Sequence, residues 1–140
     1  SSTVNSENAP KPGGLYPHAR KVGDLLFLSG VGPRTANSDA NDSFVPGLKL
    51  DHNGNFITFN FEAQCHSVFQ NVKTILEESG SSWENLVDIT VFLVDMKRDF
   101  QTFNKIYATY FKNNQPCRTT VAIDSLPTPI AIELKCIATI

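Results

Sequence analysis

Two charged residues near the end of the chain carry the most chemical promise. Arg118 follows Pro116-Cys117 at the entry to a β-patterned segment, and Glu133 falls on the polar register of a second segment that could pair with it. A guanidinium presents two parallel donors to a carboxylate, and a buried carboxylate can order a water and take its proton. Together they could hold a small acid and turn a water on it. The same residues could form an ordinary cross-strand ion pair, and residue type alone leaves both readings open. Schiff-base chemistry at Lys135 would need strong desolvation of a side chain that shares the Glu133 face. A thiol route through Cys117 has no evident base unless His18 approaches it in the fold. Metal binding has little support, because His18, His52 and His66 lie in separate segments and Cys65 and His66 would point about 100° apart on a helix. No metal and no cofactor are expected.

The elements that position these residues must come from one domain. With 140 residues, 41% of them hydrophobic, the chain suffices for a single core. Twelve Lys and Arg against fourteen Asp and Glu, with no basic block, argue against nucleic acid or an anionic membrane as a partner. No apolar run approaches the roughly 20 residues of a spanning helix, and the opening residues lack a signal-peptide layout, so a cytoplasmic protein is expected. Three cysteines without a Cys-x-x-Cys pair fit a reducing compartment, with Cys65 and Cys136 read as core residues.

An arm over residues 1–15 leads into a domain over 16–140. A hairpin is predicted at 19–22 and 25–29 around Gly23-Asp24. Residues 30–55 read as a long loop with one short strand at 47–51, and loops of this length are commonly functional. Phe61, Cys65, Val68, Phe69, Val72, Ile75 and Leu76 recur at helical spacing, predicting a helix over 60–79 stopped by Gly80. Val87, Ile89, Val91 and Leu93 alternate, and Phe92 and Val94 make the second face apolar too, so 87–94 reads as an interior strand. A second amphipathic helix over 100–112, capped by Asp99, presents Phe103 and Tyr107 among its apolar residues. Strands at 119–123 and 130–140 close an α/β domain in which two helices can cover one sheet face. Val94, Val121 and Ile137 would be costly to expose on the other, which predicts self-association there.

Several ordered motifs run along the chain. They are Gly14-Leu15-Tyr16-Pro17-His18-Ala19; Val22-Gly23-Asp24 with Leu26-Phe27-Leu28-Ser29-Gly30; Asn71-Val72-Lys73-Thr74-Ile75-Leu76 with Gly80-Ser81-Ser82; and Asp99-Phe100 with Asn104, Tyr107 and Phe111. The series closes with Pro116-Cys117-Arg118-Thr119-Thr120-Val121, Leu126-Pro127 and Ile132-Glu133-Leu134. In this order they resemble the RidA/YjgF family over essentially the whole chain from Tyr16. The resemblance implies a single-domain chorismate-mutase-like fold, a mixed β-sheet with two helices on one face, in a homotrimer whose sheets form a central barrel. Pairing of trimers into a hexamer is left open. It further implies three clefts between subunits in which Arg118 anchors a substrate carboxylate, with Glu133 and Ser29 as the other catalytic residues. Tyr16, Asn104 and the groups near Thr119 and Thr120 would contact the substrate. Tyr16 fits packing equally well, and Asn104, which interrupts an apolar helix face, fits a buried structural hydrogen bond. Thr120 stands where many relatives have a cysteine, and Pro17-His18 replaces a Ser-Gln pair.

The loop from Gly32-Pro33-Arg34 to Val45-Pro46-Gly47, together with Ala63-Gln64-Cys65-His66-Ser67-Val68-Phe69, is similar to the 2-aminomuconate deaminase branch of that family. This similarity implies hydrolysis of 2-aminomuconate, through its imine, to 4-oxalocrotonate and ammonia. A dicarboxylate needs a second anchor, for which Arg34 is the first candidate, with Arg20 and His18 behind it. A solvated surface role for Arg34 is the alternative. Rival readings are a broad deaminase of 2-aminoacrylate-type enamines and a non-catalytic ligand-binding or interaction module.

Overall fold

The computed structural model describes residues 1–36, 45–127 and 129–140. Its strands are β1 (Ser2–Val4), β2 (Ala19–Val22), β3 (Leu25–Leu28), β4 (Lys49–Leu50), β5 (Phe56–Thr58), β6 (Leu86–Leu93), β7 (Cys117–Ala122) and β8 (Ile132–Thr139); its helices are α1 (Phe61–Glu78) and α2 (Met96–Tyr110). Six strands form one mixed sheet in the order β1-β2-β3-β8-β6-β7, and β4 and β5 pair apart from it. All neighbours in the large sheet are antiparallel except β6 and β7, which run parallel because α2 is the crossover between them.

Period-two alternation assigns the faces. Ile89, Val91 and Leu93 of β6 and Ile132, Leu134, Cys136 and Ala138 of β8 are buried under the helices, while Glu133, Lys135 and Ile137 point to the uncovered face. Helix α1 buries all seven residues of its predicted stripe. Asn60 caps it by accepting from the Ala63 amide at 3.0 Å, and Gly80, with φ 82°, turns the chain away. The mixed sheet with two helices on one face is the fold class read from the sequence.

Four details differ from the sequence pattern. Helix α2 begins a turn earlier than expected, and its cap is Asp95, which accepts from the Arg98 amide at 3.0 Å. Asp99, expected as the cap, is 2% exposed and paired with Arg98 through two 2.8 Å bonds. Strand β1 docks the arm on the sheet edge, Ser2 opposite Lys21 and Val4 opposite Ala19, and β5 pairs with β4 across a turn at Gly54, φ 85°. Val94 packs against the core instead of facing outward. The uncovered face keeps Val121 and Ile137 and gains Val87, left 40% exposed by a bulge between Leu86 and Asp88. Residues 37–44 of the long loop lie outside the described residues.

A second bulge shapes the site. Phe27 pairs with Ile137 and Val31 bridges Leu134, so four steps along one strand oppose three along the other, and the extra residue falls at Ser29-Gly30. Among the described residues no three His, Cys, Asp or Glu side chains come together as a metal site, and no helix is long and apolar enough to cross a membrane.

Candidate active site

At the Ser29-Gly30 bulge the backbone forms one wall of an open cleft of about 40 Å³, bounded by Pro10 and Pro12 of the arm, by Tyr16 and by Arg34. The Ser29 hydroxyl donates to the Pro17 carbonyl at 2.7 Å, which spends its proton and leaves its lone pairs to accept. Tyr16 is 47% exposed and its oxygen accepts from the Gly13 amide at 3.2 Å, so its own proton remains available to a ligand. Arg34 donates from one terminal nitrogen to the Lys11 carbonyl at 2.7 Å, and its other nitrogens have no hydrogen-bond partner among the described residues.

His18 lines the same cleft but is not free to anchor a carboxylate. Its Nδ1 accepts from the Ser6 amide at 2.8 Å, which forces the hydrogen onto Nε2, and Nε2 donates to the Pro10 carbonyl at 2.7 Å. Both nitrogens are occupied in tying the arm to the domain. Arg20, the remaining candidate, donates to the Ser1 hydroxyl at the outer edge of the sheet, at 3.1 and 2.8 Å.

Glu133 lies against the bulge. A Cβ added to Gly30 would sit 3.0 Å from the Glu133 Cδ and 3.0 Å from its Oε2, so the carboxylate rests directly on the Gly30 backbone. It is half-buried and makes no hydrogen bond or ion pair with the described residues, and burial pushes its pKa above the usual carboxylate range. A carboxylate whose proton is held more tightly than usual is a stronger base for taking a proton from water.

Arg118 occupies a different place. Its guanidinium lies 4.7 Å from the Tyr107 ring centroid and 5.5 Å from that of Phe103, without an acidic partner among the described residues. An open cleft lies beside it, lined by Tyr107, Phe111, Lys112, Gln115 and Pro116. The Tyr107 hydroxyl and the Thr120 hydroxyl are both buried with no hydrogen-bond partner among the described residues. Burial raises the Tyr107 pKa, and the Arg118 charge partly opposes this. Asn104, one turn before Tyr107, is half-buried and makes no side-chain hydrogen bond among the described residues. Thr119 is exposed on the opposite face of β7, the last strand of the sheet, where half of the backbone groups have no strand partner.

The expected pairing of the Arg118 and Glu133 strands is therefore corrected. β8 pairs with β6, and β6 separates it from β7. Arg118 is opposite Ile89 and faces the helices; Glu133 is opposite Phe92 and faces away from them. Two strand spacings and three residues along the strand put their backbones roughly 14 Å apart, on opposite faces. No ion pair joins them, and no small acid could touch both within one chain. The structure thus holds two half-sites: Glu133 on the uncovered face against Gly30, whose backbone also walls the cleft of Ser29, Tyr16 and Arg34, and Arg118 with Tyr107 and Thr120 between α2 and β7. Sequence reasoning missed Gly30 and Tyr107, because one is a side chain's absence and the other sits on an apolar helix face that reads as core.

The family described as Endoribonuclease L-PSP, to which the RidA and YjgF proteins belong, matches residues 6–140. The chain belongs to this family. A RutC family protein of Saccharolobus solfataricus is 38% identical over 135 residues, covering 96% of this chain and 94% of its own. Reactive Intermediate Deaminase A, chloroplastic, of Arabidopsis thaliana is 36% identical over 137 residues, 98% of this chain and 65% of that protein. Among solved structures, yeast Mmf1 superimposes with a TM-score of 0.80 at 33% identity, covering 99% of this chain and 97% of the other. RidA from an Antarctic Psychrobacter gives a TM-score of 0.82 at 27% identity over the whole of both chains.

Proposed function

We propose that this RidA/YjgF-family chain is an imine and enamine deaminase whose site is completed between copies, Arg118 from one subunit meeting Glu133, Ser29 and Tyr16 of a neighbour. The observation that carries the reading is the Arg118 half-site. A guanidinium with no acidic partner among the described residues, on an aromatic shelf beside two hydroxyls unpartnered among them, fits a carboxylate ligand. The name of the Arabidopsis relative, Reactive Intermediate Deaminase A, supports the reaction class. The uncovered sheet face, with Val87, Val121 and Ile137, supports association into a trimer.

In this mechanism Arg118 grips the C1 carboxylate, fixing the adjacent imine carbon in the cleft. Glu133 takes a proton from a water as its oxygen bonds to that carbon. The proton is returned to nitrogen, giving the carbinolamine; the hydroxyl proton then passes by way of Glu133 to the same nitrogen as the carbon–nitrogen bond breaks, and a 2-oxo acid and ammonia leave. Positioning and one acid/base group contribute on the order of 10²-fold or more each, sufficient for an intrinsically easy hydrolysis. These side chains and water are the only reagents used.

The narrower substrate we propose is 2-aminomuconate. Arg34 opens onto the same cleft as Ser29 and Tyr16 with part of its fork unpartnered among the described residues, which supports a second carboxylate contact. Its bond to the Lys11 carbonyl favours the alternative, a broad deaminase of 2-aminoacrylate-type substrates in which Arg34 only shapes the arm. Ammonia release from enzymatically generated 2-aminomuconate and 2-aminoacrylate tests both. Arg118→Ala abolishes release from either; release unaffected by this change would leave a non-catalytic module. Arg34→Ala raises KM for 2-aminomuconate alone, and an equal effect on both substrates removes the dicarboxylate reading.

A further inference from the structure

We propose that Tyr107 is a substrate-binding residue of the Arg118 site, its hydroxyl donating a hydrogen bond to the same carboxylate that the guanidinium grips. The proposal rests on the deaminase reading and adds to it a residue and a role.

The ring of Tyr107 is fully accounted for by packing. It stacks on Phe111 at 4.3 Å and 27°, lies 5.5 Å from Phe103 and 6.3 Å from Phe69, and carries the Arg118 guanidinium. A phenylalanine would do all of this, and the chain uses phenylalanine at the neighbouring positions 103 and 111. The hydroxyl is therefore unexplained by the fold. A polar atom buried without a partner is a standing cost to a ligand-free protein, and such atoms persist where a ligand satisfies them.

Thr120 has the same defect two residues beyond Arg118 on the helix-facing side of β7. Two orphan hydroxyls, one on α2 and one on β7, thus flank one arginine that lacks an acid. Among ligand groups, a carboxylate answers all three, because it is charged and accepts through two oxygens. Neither hydroxyl reaches solvent within the single chain. Entry of the anion therefore requires Arg118 to slide on the ring, and cation–π contacts hold it weakly enough for that exchange.

The test is Tyr107→Phe in the full chain, beside wild type and Arg118→Ala, with two readouts. One is KM and kcat for ammonia release from 2-aminoacrylate; the other is the Tm of the ligand-free protein. The proposal predicts a KM raised about tenfold or more with kcat little changed, together with a Tm equal to or above wild type. Unchanged KM overturns it. So does a lowered Tm, which would show that the hydroxyl already has a partner in another copy or a bound water. Absence of Arg118-dependent turnover in wild type would instead sink the deaminase reading. Binding of pyruvate, followed as a rise in Tm, then decides Tyr107 on its own: weaker binding by the variant supports the contact, and equal binding removes it.

Discussion

Gly30→Ala isolates the placement of Glu133 from its chemistry. The added methyl would stand 3.0 Å from the Glu133 Cδ and Oε2 and 3.3 Å from Oε1, where carbon contacts settle near ~3.5–4.0 Å. The carboxylate must therefore withdraw by roughly 0.5–1 Å, a displacement that costs on the order of 10²-fold when it misplaces a reacting group. Gly30 does not lie in the left-handed region, unlike Gly23, Gly47, Gly54 and Gly80, so alanine is compatible with its backbone. The entropy withdrawn from the unfolded chain, about 0.4–1 kcal/mol, offsets part of the crowding. Stability is thus expected to stay close to wild type while kcat falls about a hundredfold. Steady-state ammonia release and thermal unfolding on the same preparation measure the two. In a Glu133→Gln background, adding Gly30→Ala should change nothing further, because both act through one group. Wild-type kcat in Gly30→Ala, or full additivity in the double variant, would refute the role given to the bulge.

The remaining expectations concern Glu133, Glu78 and His18. Burial raises the Glu133 pKa, so between the ordinary glutamate value and the raised one the native chain binds more protons than the unfolded chain, and this residue's contribution to stability falls as pH rises through the raised value. Accordingly the acid limb of kcat/KM lies above the ordinary carboxylate range, and Glu133→Gln loses turnover while its Tm at pH 8 does not drop; an acid limb at an ordinary glutamate value would contradict this. Glu78 acts in the opposite sense. Its pKa is lowered chiefly by hydrogen bonds from Ser6 and Asn8, so its contribution is present above the unfolded value and is lost as pH falls through the folded one. His18→Phe strips the Ser6 amide of its acceptor and the Pro10 carbonyl of its donor, which should cost about 1–3 kcal/mol and speed hydrogen exchange over residues 2–6. Unchanged exchange there would show that the arm is held by other contacts.

Long periodic segments were legible in the sequence for a simple reason: burial of one face repeats often enough to be counted. The stripe from Phe61 to Leu76 and the alternation from Ile132 to Ala138 place α1 and β8 correctly. Strands β1 and β5, three residues each, are too short to show a period. Helix α2 was read late because Lys97, Arg98 and Asp99 interrupt its apolar face, and Asp99 is buried through its pair with Arg98. The relation of Arg118 to Glu133 was misread for a different reason. Alternation tells which face of a strand a residue occupies, but not the order of strands in the sheet, and the chain returns from β7 to lie on the far side of β6. The individual residues of the candidate site were legible through a family resemblance; their division into two half-sites follows from strand order alone.

That division is the central claim, and mixing two inactive variants tests it most directly. Arg118→Ala chains keep Glu133 and Glu133→Gln chains keep Arg118, so co-assembly of equal amounts restores about a quarter of the sites if each site draws one residue from each of two copies. Ammonia release from the co-expressed mixture near a quarter of wild type, with each variant alone inactive, is the predicted result. A mixture as inactive as its components, although the variants co-assemble, would contradict a site shared between subunits.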